Sequence, residues 1–512
     1  MNATLNLPER LDGYGPILAF GDGRQAAVER KAGIGKAERR RPSKLLPDLR
    51  AAVEACGLQD GATVSFHHHL RNGDGVLNAV MEVIAAMGLR DIHVAATSIF
   101  PVHAPLVGHI RRGTVARLSA SFVSGPVGEA ISRGLVAEPV VLRTHGGRAR
   151  ALQTGELVVD AAFMAAPAAD TLDTLSGRLG RSACGTLGYP LCDVEVARRV
   201  VAVTESLLPY PAGSIDIPQD KVDFVVELPS IGDAAGIASG TLRPAEDPVS
   251  AGIARSAAAV IEASGLLADG FSFQTGAGGI SLATAASVRE RMMRRGVTGS
   301  FAAGGITALH VRMLREGLFR SLLDVQCFDL AAVESYRSDP RHRMMSASVY
   351  ANPAIGGAVV DMLDAVVLGA AEVDLSFNVN VTTKAGGIVI GGSGGHADTA
   401  AGARLALITT RLAAAGYAKI VDRVGTLTTP GETVDAVVTE AGIAVNPLRE
   451  DLHDRLRAAG LPLVSIEDLH RRSRETATRP AEPRGAGRVV AVSEYRDGRV
   501  TDVVRQVEGG NE

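Results

Sequence analysis

The sequence has no tryptophan, aromatic residues supply only 4% of its 512 positions, and it holds just four cysteines. No stretch reaches the roughly 18 uncharged apolar residues that a membrane-spanning helix needs. The opening Met1–Gly15 segment carries charges and a proline where a signal peptide would place an apolar run. An excess of one charge is missing too. Lys and Arg number 53 against 56 Asp and Glu, a formal net charge of -3, so neither nucleic acid nor a membrane surface is indicated as the main partner. Cys56, Cys184, Cys192 and Cys327 lack metal-type spacing and read as reduced thiols, with no metal site expected. What is present is 46% hydrophobic residues and 58 glycines, the composition of a compact, loop-rich globular protein. The expectation is a cytoplasmic protein.

A chain of this length exceeds one ordinary core, and its second half echoes its first. Gly61-Ala-Thr-Val-Ser-Phe66 leads into a polar loop and a helical stretch, as Asp269-Gly-Phe-Ser-Phe273 leads into Gln274-Thr-Gly-Ala-Gly-Gly279. Asp160-Ala-Ala-Phe-Met164 matches Asp364-Ala-Val-Val-Leu368 at an offset of 204, and Val222-Asp-Phe matches Val434-Asp-Ala at 212. The matches keep their order, which implies a tandem repeat of roughly 200 residues. Within each copy, short apolar runs alternate with helical patterns, as in a parallel α/β sheet covered on both faces. The expected layout is an N-terminal arm (1–50), two α/β domains (51–246 and 247–475) and a C-terminal β-hairpin (476–512) turning at Asp497-Gly498. Asp247 to Leu267 reads as linker plus helix.

In such sheets ligands collect where strands end and loops leave for helices, and the glycine-rich loops fall there. Gln274 to Gly279 includes Gly276, Gly278 and Gly279 at a helix start. Amides freed there suit an anion, although a glycine turn used only for packing is the plain alternative. Gly386 to Gly395 holds Gly386, Gly387, Gly391, Gly392, Gly394 and Gly395, with Ser393 between and His396 and Asp398 following. Such a run carries an entropic cost that a backbone approaching a ligand would justify; a flexible hairpin is the alternative. Asn378 and Asn380 share one face of an extended segment and could meet carboxylate oxygens or close a turn. His67-His-His69 tempts towards a metal, but on a strand only His67 and His69 share a side. With Arg71 and Asn72 next, a substrate-contacting loop fits better than a zinc site. Arg39 to Arg41 forms either a solvated face or a contact for an acidic partner.

These segments together resemble the citrate lyase alpha subunit family. The resemblance rests on Ser65-Phe-His-His-His-Leu-Arg71, His145-Gly-Gly147, Phe273-Gln-Thr-Gly-Ala-Gly-Gly279, Gly304-Gly-Ile-Thr307, Phe377-Asn-Val-Asn-Val381 and Gly392-Ser-Gly-Gly-His396. It runs from about Lys44 to the C-terminus. More distantly, the second half looks like coenzyme A transferases in general. The resemblance implies two tandem domains of the coenzyme A transferase type. It implies an exchange in which citrate and an acetyl-carrier give a citryl-carrier and acetate. No cofactor would be tightly held on this chain; the thiol would sit on a phosphoribosyl-dephospho-coenzyme A arm of a small carrier (gamma) subunit. A lyase (beta) subunit would then split the citryl thioester, within an oligomeric complex. Gly278, Gly279, Gly394 and Gly395 would stabilise oxyanions through backbone N–H groups. His67, His69, Arg71, Asn72, Gln274, Gly276, Asn378, Asn380, Ser393, His396 and Glu440 would line the substrate.

One departure bears on mechanism. Many coenzyme A transferases use a glutamate nucleophile, in a Glu-Asn-Gly motif or on the strand after the first glycine loop. Here no Glu-Asn-Gly occurs and that strand reads Ser300-Phe-Ala-Ala-Gly-Gly-Ile306. Direct attack of citrate on the acetyl thioester, through a mixed anhydride, is therefore expected, with Glu440 the fallback acid. The competing readings are a short-chain acyl coenzyme A transferase using free thioesters and a non-catalytic, anion-sensing relative.

Overall fold

The computed structural model describes residues 44–172, 174–238, 245–482 and 485–508, together with 10–11 and 15–16. Residues 44–512 group as one compact unit and residues 1–43 as another. In the latter only a short antiparallel pairing, Arg10–Leu11 with Gly15–Pro16, is described, so the Arg39–Arg41 run lies outside the described residues.

The main unit is an α/β structure built on two large sheets. The first takes β1 (Leu45–Leu46), β2 (Thr63–Phe66), β3 (Ile92–Ala96), β4 (Val115–Ala120), β5 (Val140–Arg143), β6 (Ala161–Ala166), β7 (Arg199–Thr204) and β8 (Phe224–Glu227). The second takes β9 (Ser272–Thr275), β10 (Gly299–Ile306), β11 (Phe319–Cys327), β12 (His342–Met344), β13 (Ala365–Gly369), β14 (Ala406–Thr409), β15 (Ala436–Thr439) and β16 (Gly442–Val445). A C-terminal hairpin, β17 (Val489–Glu494) and β18 (Val500–Arg505), does not stand apart: β17 lies parallel beside β5 and extends the first sheet. The order is β18-β17-β5-β4-β3-β2-β6-β7-β8-β1 in the first sheet and β12-β11-β10-β9-β13-β14-β15-β16 in the second. Neighbours are parallel except in the pairs β17–β18 and β15–β16.

The central strands are buried along nearly their whole length, from Val64 and Val94 in the first sheet to Phe273 and Val366 in the second. This is why they read as unbroken apolar runs rather than alternating ones. In each sheet the chain winds outward from one central strand, β2 or β9, and then returns to that strand's other side, with β6 or β13. Ligands of open α/β sheets bind beyond the strand ends at such a reversal of order. The helices α1 (His145–Gln153), α2 (Pro248–Ala263), α3 (Gly279–Arg295) and α4 (His396–Gly402) follow in order, of which α1, α3 and α4 carry candidate site residues at or beside their starts. The segment expected to be linker plus helix is α2, capped by Asp247, whose side chain accepts from the Ser250 amide. Among the described residues no helix is long and apolar enough to cross a membrane. All four cysteines are unbridged, and burial pushes the Cys56 and Cys192 thiols up to about 12.

Beneath the end of β2 lies a buried ion pair. Arg148 donates to both oxygens of Asp193 at 2.8 Å, Ser65 Oγ donates to the same carboxylate at 2.6 Å, and His67 Nε2 stands 3.0 Å from it. Burial alone would raise the Asp193 carboxyl, but Arg148 and His67 hold it well below the usual range. Its stabilising contribution is present above the ordinary carboxylate pKa and is lost as pH falls through the depressed value. Arg148→Met leaves a buried charge without its main partner, so stability at pH 7 should fall by about 3–5 kcal/mol. The denaturant midpoint checks this: an unchanged midpoint would show that the pair does not anchor the fold.

Candidate active site between the two sheets

The glycine-rich segment of the second half is laid across the carboxyl edge of the first sheet. The Val123 amide donates to the Gly391 carbonyl at 3.2 Å, Gly394 donates to Ser121 O at 3.0 Å, and His145 donates to Gly394 O at 2.8 Å. Close approach depends on glycine here. A Cβ on Gly392 would lie 2.4 Å from Ser121 O, and Gly394 adopts φ +52. Asp398 on α4 completes the seam by accepting from Thr144 Oγ1 at 2.8 Å and from the Gly146 amide at 2.9 Å. Thr144 also caps α1 through its bond from the Gly147 amide. Burial pushes the Asp398 carboxyl up to about 6, against those bonds and Arg496.

The other glycine loop reaches the same place. Gln274, at the end of β9, donates from Nε2 to Tyr350 Oη at 2.7 Å. A Cβ on Gly395 would lie 2.5 Å from that same oxygen. Tyr350 therefore stands where the two loops meet. Beside them the rings of His68, His145 and Tyr189 pack together, with Tyr189 at 4.5 Å from His68 and 4.6 Å from His145. Burial, with Arg148 nearby, lowers His145 to about 3, and burial with His145 and Arg71 lowers His68 as well. Both imidazoles are neutral at physiological pH.

Arg71 supplies the positive charge. Its guanidinium lies 4.9 Å from the ring centres of both Phe100 and Phe328. Among the described residues it has no ion-pair partner, and its Nε is buried without an acceptor. Burial lowers it to about 10, so it stays charged at neutral pH. Gln274 Oε1, Ser121 Oγ, Thr275 Oγ1 and His145 Nδ1 are buried without partners too. Buried polar atoms are seldom left so in the absence of a ligand or water. The amides of Gly278, Gly279 and Gly395 have no acceptor among the described residues. Gly278 and Gly279 open α3, which has no side-chain cap and so presents its N-terminus to an anion.

The expected site residues divide into two groups. Gln274 and Gly395 meet at Tyr350, and Gly394 lies against His145, whose ring packs on His68 next to Arg71; Gly278 lies beside Gly369, and the Gly394 amide is committed to Ser121 and is no donor to a ligand. Gly276 donates its amide to Val367 O and Asn72 Oδ1 accepts from Val102, so both brace the loops. His67 belongs to the Asp193 network, and His69 Nε2 bonds the Ala165 carbonyl. The shared side of His67 and His69 faces the support, and His68 faces the site. Asn378 and Asn380 close turns. Asn378 bonds Asp374 and the Gly431 amide, while Asn380 bonds Glu372 and the 382–383 backbone. Ser393 Oγ accepts from the Ala397 amide, and His396 bridges Thr429 and the Gly369 carbonyl. Glu440 is exposed, accepts from the Leu412 amide and lines a different cavity against α2.

His68, Ser121, His145, Tyr189 and Tyr350 escape a reading by spacing, since tertiary contact alone assembles them. Only His145, behind a threonine cap and ahead of two glycines, carries a local signal. Asp324, Cys327 and His342 bring metal-type ligand atoms within 4.8 Å. Here the Asp324 carboxylate accepts from the Gln326 amide and Cys327 Sγ, and His342 Nε2 lies 3.0 Å away. That network fixes the turn from which Gln326 donates to the His68 carbonyl at 2.5 Å.

Comparison with known proteins places this geometry in one family. The family described as "Citrate lyase, alpha subunit" matches residues 42–507. The citrate lyase alpha chain of Escherichia coli (strain K12) is 48% identical over 472 residues, 92% of each chain. That of Klebsiella pneumoniae is 44% identical over 92% of this chain and 93% of its own. A crystal structure of an alpha subunit of citrate lyase from Streptococcus mutans in complex with citrate superposes with a TM-score of 0.90 at 44% identity, covering 92% of each chain. A Pseudomonas malonate decarboxylase hetero-tetramer in complex with malonate shares the fold alone, with a TM-score of 0.64 at 17% identity over 85% of this chain and 86% of its own. With sequence and structure agreeing over more than nine-tenths of its length, the chain belongs to the family of citrate lyase alpha subunits.

Proposed function

We propose that this chain is the transferase component of a citrate lyase, exchanging acetate for citrate on an acyl-carrier thioester. The observation that carries the reading is Arg71, a half-buried guanidinium without a carboxylate partner among the described residues, close to His68, which packs against the His145 ring beside Gly394. Citrate would place a carboxylate on Arg71. The amides of Gly278, Gly279 and Gly395 would receive the oxyanion that forms on the thioester carbonyl.

The reaction runs in two displacements. A citrate carboxylate oxygen attacks the acetyl thioester carbon, and the tetrahedral oxyanion collapses with loss of the carrier thiolate. The resulting acetyl-citryl anhydride is attacked by that thiolate at its citryl carbonyl, and acetate leaves. No side chain needs to carry the acyl group. Room for a glutamate is lacking where relatives of the wider fold place one. A Cβ on Gly304 would lie 2.6 Å from the Gln274 side chain, and one on Gly305 would lie 2.2 Å from the Phe328 ring. Neutral His68 and His145 add no second cation that would hold citrate too tightly.

The carrier thiol would belong to a phosphoribosyl-dephospho-coenzyme A arm on a gamma subunit, and a beta subunit would cleave the citryl product, in a cytoplasmic oligomeric complex. The two halves are taken as tandem copies of one coenzyme A transferase-type domain. The orders β5-β4-β3-β2-β6-β7-β8 and β12-β11-β10-β9-β13-β14-β15 support this, being the same pattern.

Arg71→Gln should raise the KM for citrate roughly tenfold to a hundredfold, the worth of a hydrogen bond to a charged group, with the KM for the thioester unchanged. Acetate release on mixing acetyl thioester and citrate measures it, and an unaltered citrate KM would remove Arg71 from the site. Gly279→Val, which crowds the α3 amides, should lower kcat by about 100-fold or more in a folded protein; near-normal turnover would argue against the oxyanion site.

Incubation with acetyl thioester alone should leave no adduct on any peptide, and hydroxylamine should not inactivate the enzyme. Initial-rate plots should intersect, since parallel lines mark a covalent intermediate. An acetylated Glu440 peptide would overturn direct transfer and leave the transferase assignment standing.

A further inference from the structure

Outside the site, two adjoining cavities of about 690 Å³ and 430 Å³ form a cleft around Tyr417. Its walls are the turn 384–387, the segment 417–423 and the helix Ile466–Thr476 with the residues that follow it. Lys384, Lys419, Arg423, Arg474 and Arg479 line it against Glu372, Asp422 and Glu482. Five cations against three carboxylates make it positive, in a chain whose net charge is -3.

The carboxylates are already engaged. Glu372 accepts from Asn380 Nδ2 at 2.8 Å and from the Gly425 amide at 2.7 Å, Glu482 accepts from the Tyr417 hydroxyl, and Asp422 stands 3.3 Å from His470. Lys384, Lys419 and Arg474 have no ion-pair partner among the described residues. Lys419 is half-buried, and burial lowers its pKa despite Glu372 nearby. A half-buried ammonium with no carboxylate at ion-pair distance among the described residues leaves room for an anion. Arg479 lies over the Tyr417 ring at 5.5 Å from its centre, so the cleft also offers a flat guanidinium–aromatic pair on which a ring can stack. Spread cations beside a stacking surface match a nucleoside diphosphate better than a lone inorganic anion.

The cleft is joined to the active site by the chain itself. Its wall at Gly386 and Gly387 runs directly into the seam that ends at Gly394. Six residues separate Gly387 from Gly394, and the seven steps between them span at most about 25 Å when fully extended. We propose that this cleft holds the nucleotide end of the thioester carrier, its phosphates on Lys384, Lys419 and Arg474, while the thiol-bearing chain spans the distance from there to the glycine loops. The inference rests on reading the chain as a thioester transferase and adds a place for the part of the carrier that does not react.

The test uses dephospho-coenzyme A, ADP and inorganic phosphate as calorimetric probes of the full-length protein, with acetyl-dephospho-coenzyme A as a free substrate. Lys384→Glu and Arg474→Glu lie outside the reacting groups. Each should weaken dephospho-coenzyme A and ADP binding at least tenfold and raise the KM for the thioester to match. The kcat at saturation and the KM for citrate should stay within twofold. Thioester KM values unchanged in both variants would overturn the proposal, as would phosphate competing as well as ADP. If the wild type binds dephospho-coenzyme A in a cleft-dependent way yet releases no acetate, the transferase reading fails and the cleft stands. If transfer proceeds with cleft variants indistinguishable from wild type, the cleft fails and the transferase stands.

Discussion

Three backbone hydrogen bonds, from Val123 to Gly391, Gly394 to Ser121 and His145 to Gly394, hold a segment of the second half against the carboxyl edge of the first sheet. Everything in the candidate site depends on that seam. It sets Gly395 against Tyr350, which in turn receives Gln274 from the other glycine loop. It brings Thr144 and Gly146 to Asp398, so the start of α1 is fixed by a carboxylate from the opposite half. A side chain is excluded from the seam at Gly392, where a Cβ would meet Ser121 O across it, and at Gly391, where one would meet Val381 O of the same half. The run of glycines is thus a packing requirement first, and its amides become available to a ligand only where the seam ends.

The electrostatics of the site follow from its burial. Desolvation strips charge from His68 and His145 and leaves Arg71, whose pKa is too high for burial to neutralise. Stacking between Phe100 and Phe328 keeps that guanidinium in place without a carboxylate to neutralise it. A carboxylate bound there, as the proposed function has it, would meet an oriented positive charge. The Asp193 network under His67 keeps the floor of the site rigid and takes no direct part in it.

Much of this was legible in the sequence because it depends on local chemistry. Unbroken apolar strands, glycines at strand ends and the hairpin at Asp497-Gly498 each announce their conformation within a few residues. Properties that depend on which side of a loop faces which partner were not legible. Grouping His67 with His69 by parity supposes a strand, whereas the strand ends at Phe66, and nothing in these residues says that His68 is the one turned towards His145. Asn378 and Asn380 could be read as ligand amides or as turn closers, and the second holds: Asn380 bonds Glu372 across a local hairpin, while Asn378 also reaches Gly431, which only the fold brings near. The hairpin's destination is a further case, because β17 carries no mark of the edge it will join.

That destination has a consequence for how the chain is made. β5 is an edge of the first sheet until β17 arrives, and the ion pair that clasps them, Arg143 with Glu494, joins residues 351 positions apart. During synthesis the first sheet therefore waits, with one flank unpaired, while the whole second half emerges. An uncovered strand edge is an invitation to a neighbouring chain, and long-range closures of this kind are slow. Nascent chains emerging side by side on one messenger would present the same bare flank to one another, so crowded translation carries its own hazard of mispairing for this protein.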